Sequence, residues 1–155
     1  MSMKKDLKEA NVAHLNLSGF CQVEAGTAVR DVLTIMREAG RGACLILQGA
    51  KLVGIFTERD VLHKVMNTPA MLDAPVDAVM TPNPRVITPD ISAAAALTLM
   101  DTGRFRNLPV VNEDGEVLGD MTYQAIIDYL ANLYPIAVLN RPPNPEQFPR
   151  KPEGG

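Results

Sequence analysis

The sequence predicts an α/β (α+β) fold built as two β-α-β-β-α lobes. Three observations carry this reading. Short apolar runs alternate with segments of helical period, the order of these segments occurs twice, and matching tetrapeptides recur at a nearly fixed distance. Leu33-Thr34-Ile35-Met36 returns as Leu97-Thr98-Leu99-Met100, 64 positions on, and Gly54-Ile55-Phe56-Thr57 returns as Gly119-Asp120-Met121-Thr122, 65 positions on. Arg41, three before Cys44, matches Arg106, three before Pro109, also at 65, which puts one extra residue between the first helix and the second strand. A period near 65 is too long for a solenoid unit, and two copies are too few for one. A lobe of that size is marginal alone, so the two are expected to share a core and bury each other's open sheet faces.

Each element has its local reason. Residues 1–19 form an N-terminal docking segment with a short helix, Lys5 to Ala13, too short to stand alone. The first repeat, 20–66, opens with a strand over Gly19 to Glu24. Val29, Val32, Leu33 and Met36 then make the apolar stripe of a helix that Gly40 and Gly42 end. Cys44 to Leu47 and Leu52 to Phe56 read as buried strands around a hairpin-like connection. After Thr57 the period becomes helical through Val61, Leu62, Val65 and Met66. Residues 67–80 are a linker. In the second repeat, 81–134, Arg85 to Thr88 is a strand, Ile91 to Met100 a helix, and Leu108 to Asn112 and Val117 to Met121 strands. A last helix from Thr122 is expected to turn Ile126, Ile127, Leu130 and Leu133 inward. Residues 135–155, with five prolines from Pro142 onward, read as a tail that can build neither helix nor central strand: a disordered or extended tail, or an arm on a neighbouring subunit anchored by Phe148 and the Leu139 region.

Composition removes several function classes. Of the 155 residues 46% are hydrophobic and 21% charged, an ordinary soluble composition. No apolar run approaches the roughly 20 residues that span a bilayer, and Met1 to Ala10 lacks a signal-peptide core, so a cytoplasmic protein is expected. A net charge of −3 gives no footprint for nucleic acid. Cys21 and Cys44, flanked by apolar residues, read as buried free thiols rather than as a disulfide or metal pair. His14 and His63 have no companions at metal-ligand spacing. Nucleophile–base sets and a Walker loop are absent from the sequence, so an enzyme is not expected.

The stretch with chemistry is Gly54-Ile55-Phe56-Thr57-Glu58-Arg59-Asp60. Thr57 sits at a strand-to-helix turn with Asp60 three residues on, the spacing of a capping box. One reading stops there. The other notes that a carboxylate one turn into a helix can accept hydrogen bonds from both hydroxyls of a ribose, beside free N–H groups suited to an anion.

Together with Val79-Met80-Thr81-Pro82, Val86-Ile87-Thr88-Pro89 and Arg106-Asn107-Leu108-Pro109-Val110-Val111, this doubled pattern resembles a tandem cystathionine-β-synthase (CBS) domain pair, the Bateman module, over Phe20 to Tyr134. The resemblance implies two lobes about a pseudo-twofold axis and a cleft for adenine nucleosides such as AMP, ADP, ATP or S-adenosylmethionine. It also implies a homodimer. Carried onto this chain, it places Asp60 on the ribose, Thr57 near ribose and phosphate, the edge Arg85, Val86, Ile87 over the adenine, and Arg106, Asn107 and Pro109 near the phosphates. Arg41, aligned with Arg106, is a further phosphate candidate. The second site departs from the pattern: Ala125 stands where Asp is required, and Asp120 where an apolar residue is. The implied function is a regulatory, energy-sensing module that requires no cofactor, binds one adenine nucleotide (AMP, ADP or ATP) as its regulatory ligand, and signals to an effector protein. The alternatives are a structural dimerisation or interaction module without ligand, or a binder of S-adenosylmethionine.

Overall fold

The computed structural model describes residues 2–134; the proline-rich stretch read above as a tail lies outside the described residues. Ser2 caps α1 (Met3–Glu9) by accepting from the Lys5 N–H, and a 3-10 turn, Val12–His14, follows. The first lobe runs β1 (Cys21–Glu24), α2 (Val29–Ala39), β2 (Ala43–Gln48), β3 (Lys51–Thr57) and α3 (Glu58–Asp60), which continues as a π-helical turn over Val61–Val65. Two 3-10 turns, Pro69–Asp73 and Val76–Ala78, and β4 (Thr81–Pro82) lead into α4 (Ala93–Gly103), β5 (Asn107–Val111), β6 (Val117–Thr122) and α5 (Tyr123–Leu133).

The first lobe's strands form a sheet in the order β1-β2-β3-β4, parallel between β1 and β2 and antiparallel elsewhere. In the second lobe only β5 and β6 form a regular antiparallel pair. The strand expected over Arg85 to Thr88 is reduced to a parallel bridge between Ile87 and Val110. There the Ile87 N–H donates to Pro109 O (3.0 Å) and the Val111 N–H to Ile87 O (2.9 Å). Pro84 and Pro89 bracket the segment, and neither can donate to a ladder.

Strand register corrects one detail of the repeat. Cys44, Leu45 and Ile46 pair with Phe56, Ile55 and Gly54; Leu108, Pro109 and Val110 pair with Met121, Asp120 and Gly119. The shift is therefore 64 through β2 and β5, and becomes 65 only in β3 and β6. The extra residue lies in the hairpin connection, not before the strand. There Asn112 Oδ1 accepts from both the Asp114 and Glu116 N–H groups (2.9 Å each), and Gly115 takes φ 81°. That side-chain-built turn needs one residue more than the Gln48-to-Lys51 connection. It follows that Arg41 corresponds to Phe105 and Gly42 to Arg106. Arg41 and Phe105 each donate their N–H to the matching helix carbonyl, Met36 O and Met100 O (2.9 Å both).

The N-terminal segment does not dock on the lobe it precedes. Its Val12 N–H donates to Ile91 O (2.9 Å), it receives a bond from the Ala93 N–H at Ala10 O (2.8 Å), and Leu17 O accepts from Asp120 N–H (3.1 Å). Leu7, Ala10, Val12 and Leu15 pack with Met100, Leu108 and Met121 in the second lobe's core. The linker serves the first lobe in the same way. Val29 N–H donates to Ala74 O (3.0 Å), Val76 N–H to Thr27 O (2.8 Å), and β4 pairs with β3. Val76 and Val79 fill the core of Val29, Val32, Met36 and Phe56. Asn11 bridges Ser92 as Pro75 bridges Ala28, a match at 64, so the structural repeat begins near α1 and each lobe is completed by the segment that precedes the other. A third cluster, Ala43, Leu45 and Ile55 with Phe20, Leu52 and Val117, joins the lobes.

Helix faces differ in part from expectation. On α5 Ile126 is buried, but Ile127 is 56% and Leu133 44% exposed; on the α3 turn Val65 is buried while Leu62 and Met66 are 54% and 63% exposed. The apolar side chains of these helices exceed what one chain covers.

Val12 and Val76 are both fully buried at matching positions. Val12→Ala and Val76→Ala should each cost about 2 kcal/mol, the scale of two buried methyl(ene) groups with a partly collapsed cavity. Urea unfolding measures this, and a cost under about 0.5 kcal/mol for Val12→Ala would contradict the completed-core description.

Candidate functional site

The exchange of segments creates the site. After pairing with β3, the chain must cross from the first lobe to the second through Asn83, Pro84 and Arg85. This crossing, the end of β3 with the start of α3, and the loop from α4 to β5 enclose a cavity of about 940 Å³. Its apolar lining comes from Ile55, Leu62, Pro84 and Phe105. Its polar lining includes Thr57, Thr81, His63 and Asn107. Four arginines, Arg59, Arg85, Arg104 and Arg106, face one carboxylate, Glu58. Gly42 permits this geometry: its carbonyl accepts from the Glu58 N–H (3.0 Å), and a Cβ there would lie 2.6 Å from Glu58 Oε1.

Of the residues expected from sequence, the structure brings Thr57, Arg85, Arg106 and Asn107 together on this cavity. Ile87 and Pro109 do not line it. Both are buried, held by the bridge that replaces the missing strand, with Ile87 in the second lobe's core. Val86 is exposed and also stands off the cavity. Arg41 does not line this cavity; its guanidinium lies against Gly19 and acts on Asp120. Arg59, Arg104, Phe105 and Thr81 were not singled out. Arg59 lies inside the Gly54-to-Asp60 motif and Arg104 two residues before Arg106, which were the available signals.

Asp60 is only 5% exposed and lies behind the cavity wall. It closes a capping box, with the Thr57 N–H donating to Oδ2 (3.0 Å) and the Asp60 N–H donating to Thr57 Oγ1 (3.3 Å). The Thr81 hydroxyl donates to Oδ1 (3.0 Å), and Lys64 Nζ stands 3.0 Å from the same oxygen. The expected open ribose acceptor is thus an engaged group. It fixes Thr57 from the first lobe and Thr81 from the crossing, and both of those line the cavity.

A CBS domain family model matches residues 20–67 and 76–132. The chain belongs to the CBS-domain family. The CBS domain-containing protein CBSCBSPB3 of Arabidopsis thaliana is 38% identical over 128 residues, 81% of this chain and 22% of the relative. An uncharacterized 17.7 kDa protein of Acidianus ambivalens is 26% identical over 113 residues, 72% of this chain and 68% of the relative. The chain spans 16% of the length of CBSCBSPB5 and 22% of CBSCBSPB3. Among solved structures, the Arabidopsis CBS-pair protein CBSX2 in complex with AMP superposes with a TM-score of 0.69 at 23% identity, over 80% of this chain and 98% of that one. The CBS domain protein PAE2072 from Pyrobaculum aerophilum, complexed with AMP, gives 0.64 at 21% identity, over 79% and 98%. These likenesses establish the CBS-pair fold.

The equivalent region on the other side of this CBS pair is formed by the end of β6, the crossing Leu17 to Cys21 and the loop from α2 to β2, whose Gly42 also lines the first cavity. Its chemistry is different. Gln124, Cys21, Gly40 and Gly42 stand at the positions of Arg59, Arg85, Arg104 and Arg106, and Ala125 at that of Asp60. Ala125 still donates its N–H to Thr122 Oγ1 (3.2 Å), but nothing returns the bond. Asp120, matching Ile55, is 8% exposed, and its Oδ1 has no hydrogen-bond partner. Burial pushes its carboxyl up to about 7, the Arg41 guanidinium pulling the other way. Burial likewise raises the Cys21 thiol, and raises that of Cys44 to about 12, so both are inert thiols.

Asp120 gives a pH signature. Its folded-state pKa lies above the unfolded value, so the folded chain holds a proton the unfolded chain has lost. The contribution is full below about pH 4 and is lost as pH rises through about 7. Asp120→Ile should therefore stabilise the fold increasingly between pH 5 and pH 8, reaching a few kcal/mol, on the order of 1.4 kcal/mol per unit of pKa shift. Denaturant titrations across that range test it; a pH-independent difference would contradict it.

Proposed function

We propose that this CBS pair is a regulatory, non-catalytic module that binds an adenine nucleotide in the cavity between its lobes and passes occupancy to a partner protein. The observation that carries this is the cavity itself: about 940 Å³, walled by both repeats, with an apolar slot beside converging guanidinium groups. Ile55, Leu62, Pro84 and Phe105 offer the dry surface a base requires. Thr57 and Thr81 offer hydroxyls for a ribose, held in place by Asp60. Arg85, Arg106 and Asn107 offer donors to phosphate, where guanidinium forks make strong charge-assisted bonds. The AMP complexes of CBSX2 and PAE2072 support a nucleotide in this fold. The same arginines disfavour S-adenosylmethionine, whose sulfonium is cationic. Because the cavity wall comes from both lobes, a ligand couples them, and the relative placement of the lobes is the signal an effector would read.

We place the module in the cytoplasm and propose that it acts as a homodimer. Among the described residues no helix is long and apolar enough to cross a membrane. The exposed apolar side chains of the α3 turn and α5, Leu62, Met66 and Ile127, form the interface in this reading; closed twofold dimers are the commonest assembly.

Three measurements test the proposal. A nucleotide at about 100 times its Kd should add about 2.7 kcal/mol of stability; unchanged melting with AMP, ADP and ATP would remove the ligand-binding reading. Asp60→Ala should weaken binding at least about tenfold and also cost about 1–3 kcal/mol of stability, because Lys64 and the Thr81 hydroxyl lose their partner. Asp60→Asn keeps an acceptor for the Thr57 N–H and the Thr81 hydroxyl, so it should lose less stability and less affinity than Asp60→Ala in calorimetry; a binding loss equal to that of Asp60→Ala would contradict the positioning role. Ile127→Glu should convert a dimer at micromolar concentration to a monomer in sedimentation velocity; a monomeric parent chain would refute the assembly.

A further inference from the structure

The charge of the cavity exceeds what a nucleoside monophosphate uses. Four guanidinium groups line it against the carboxylate of Glu58. None of the four joins an ion pair among the described residues, where the pairs are Arg30–Asp73 and Lys64–Asp60. Like charges gathered around one space repel unless an anion fills it. The fold does not require them, since the second half of the cleft uses the same backbone with Gln124, Cys21, Gly40 and Gly42 at the matching positions.

Arg104 is the telling residue. It ends α4 in the left-handed region, φ 56° and ψ 36°. At the same place α2 ends in Gly40, φ 66° and ψ 35°, the residue type that adopts this conformation without strain. The second repeat therefore carries a strained arginine where glycine would be easier, and its residue lines the cavity. Arg106 has a similar history: its counterpart Gly42 carries no side chain.

We infer that this cavity selects a nucleotide bearing two or three phosphates over a monophosphate, with Arg104 the residue that reads the phosphates beyond the first. The inference rests on the cavity being the nucleotide site. Each added phosphate brings further negative charge and acceptor oxygens, and the unpaired arginines supply forked donors for them. A monophosphate would leave part of that charge unneutralised.

The test is calorimetry of the full chain with adenosine, AMP, ADP, ATP and inorganic tripolyphosphate in magnesium-free buffer, comparing the parent chain with Arg104→Gly and Arg104→Lys. Affinity should rise at least about tenfold from AMP to ATP, the scale of one charge-assisted contact. Arg104→Gly should remove most of that gain while leaving AMP within about threefold, a negligible change on that scale. It should melt no lower than the parent, because glycine suits the left-handed position. Arg104→Lys should keep part of the gain, having charge without the fork. AMP binding as tightly as ATP, or equal losses for AMP and ATP in Arg104→Gly, would overturn the inference while sparing the nucleotide site. Tripolyphosphate binding that depends on Arg104, with adenosine and AMP silent, would show an inorganic polyphosphate site and would overturn both the inference and the nucleotide reading it rests on.

Discussion

Neither lobe of this chain can close its own core, and that constraint shapes everything else. A β-α-β-β-α unit of some fifty residues leaves one side of its helix and the edge of its hairpin uncovered. Val12 and Val76 are the two plugs, each fully buried and each delivered by the segment preceding the other lobe. The hydrogen bonds from Val12 to Ile91 and from Val76 to Thr27 fix the plugs at matching depths. Since each plug sits on one lobe and its chain continues into the other, the chain must cross between the lobes twice. The two crossings are the floors of the two half-clefts. The cavity is thus a by-product of how the cores are completed, and a ligand seated on a crossing would touch both lobes.

The two half-clefts share a backbone and differ in charge. The first gathers four arginines, and behind its wall Asp60 ties Thr57 to Thr81. The second keeps the threonine cap at Thr122 but places Ala125 where Asp60 would be, leaves Arg41 without neighbouring arginines at the matching positions, and buries Asp120 with an oxygen unpartnered. Burial with an unpartnered oxygen disfavours the charged form of Asp120, and once ionised, above about pH 7, the carboxylate would repel phosphate. The repeat has specialised: one half carries the features of an anion site, the other carries features that oppose one.

Much of this was legible in the residues. The apolar stripe of Val29, Val32 and Met36, the strands around Gly54 and Gly119, and the Thr57-to-Asp60 box are local patterns, and local patterns determine local structure. Four features were not legible, each for a physical reason. The position of the extra residue depends on the side-chain turn made by Asn112, which tetrapeptide matching cannot detect, so matching at 65 aligns Arg41 with Arg106 where the strand register aligns it with Phe105. The role of the N-terminal segment depends on long-range packing that no window of sequence contains. Ile87 and Pro109 look like a ligand-facing edge in sequence, but a single bridge between prolines turns them into core. Arg104 becomes conspicuous only when its φ is known, because an arginine after a helix is unremarkable in sequence.

In the proposed function, ligand binding belongs to the half of the cleft built by the second crossing. Amide hydrogen exchange read by mass spectrometry, with and without ATP, tests it most directly, since it locates protection without altering any residue. Peptides covering residues 54–63, 81–87 and 103–107 should exchange more slowly, with peptides covering 17–23 and 119–125 unchanged. Equal protection of both sets, or protection confined to the set around Asp120, would contradict it.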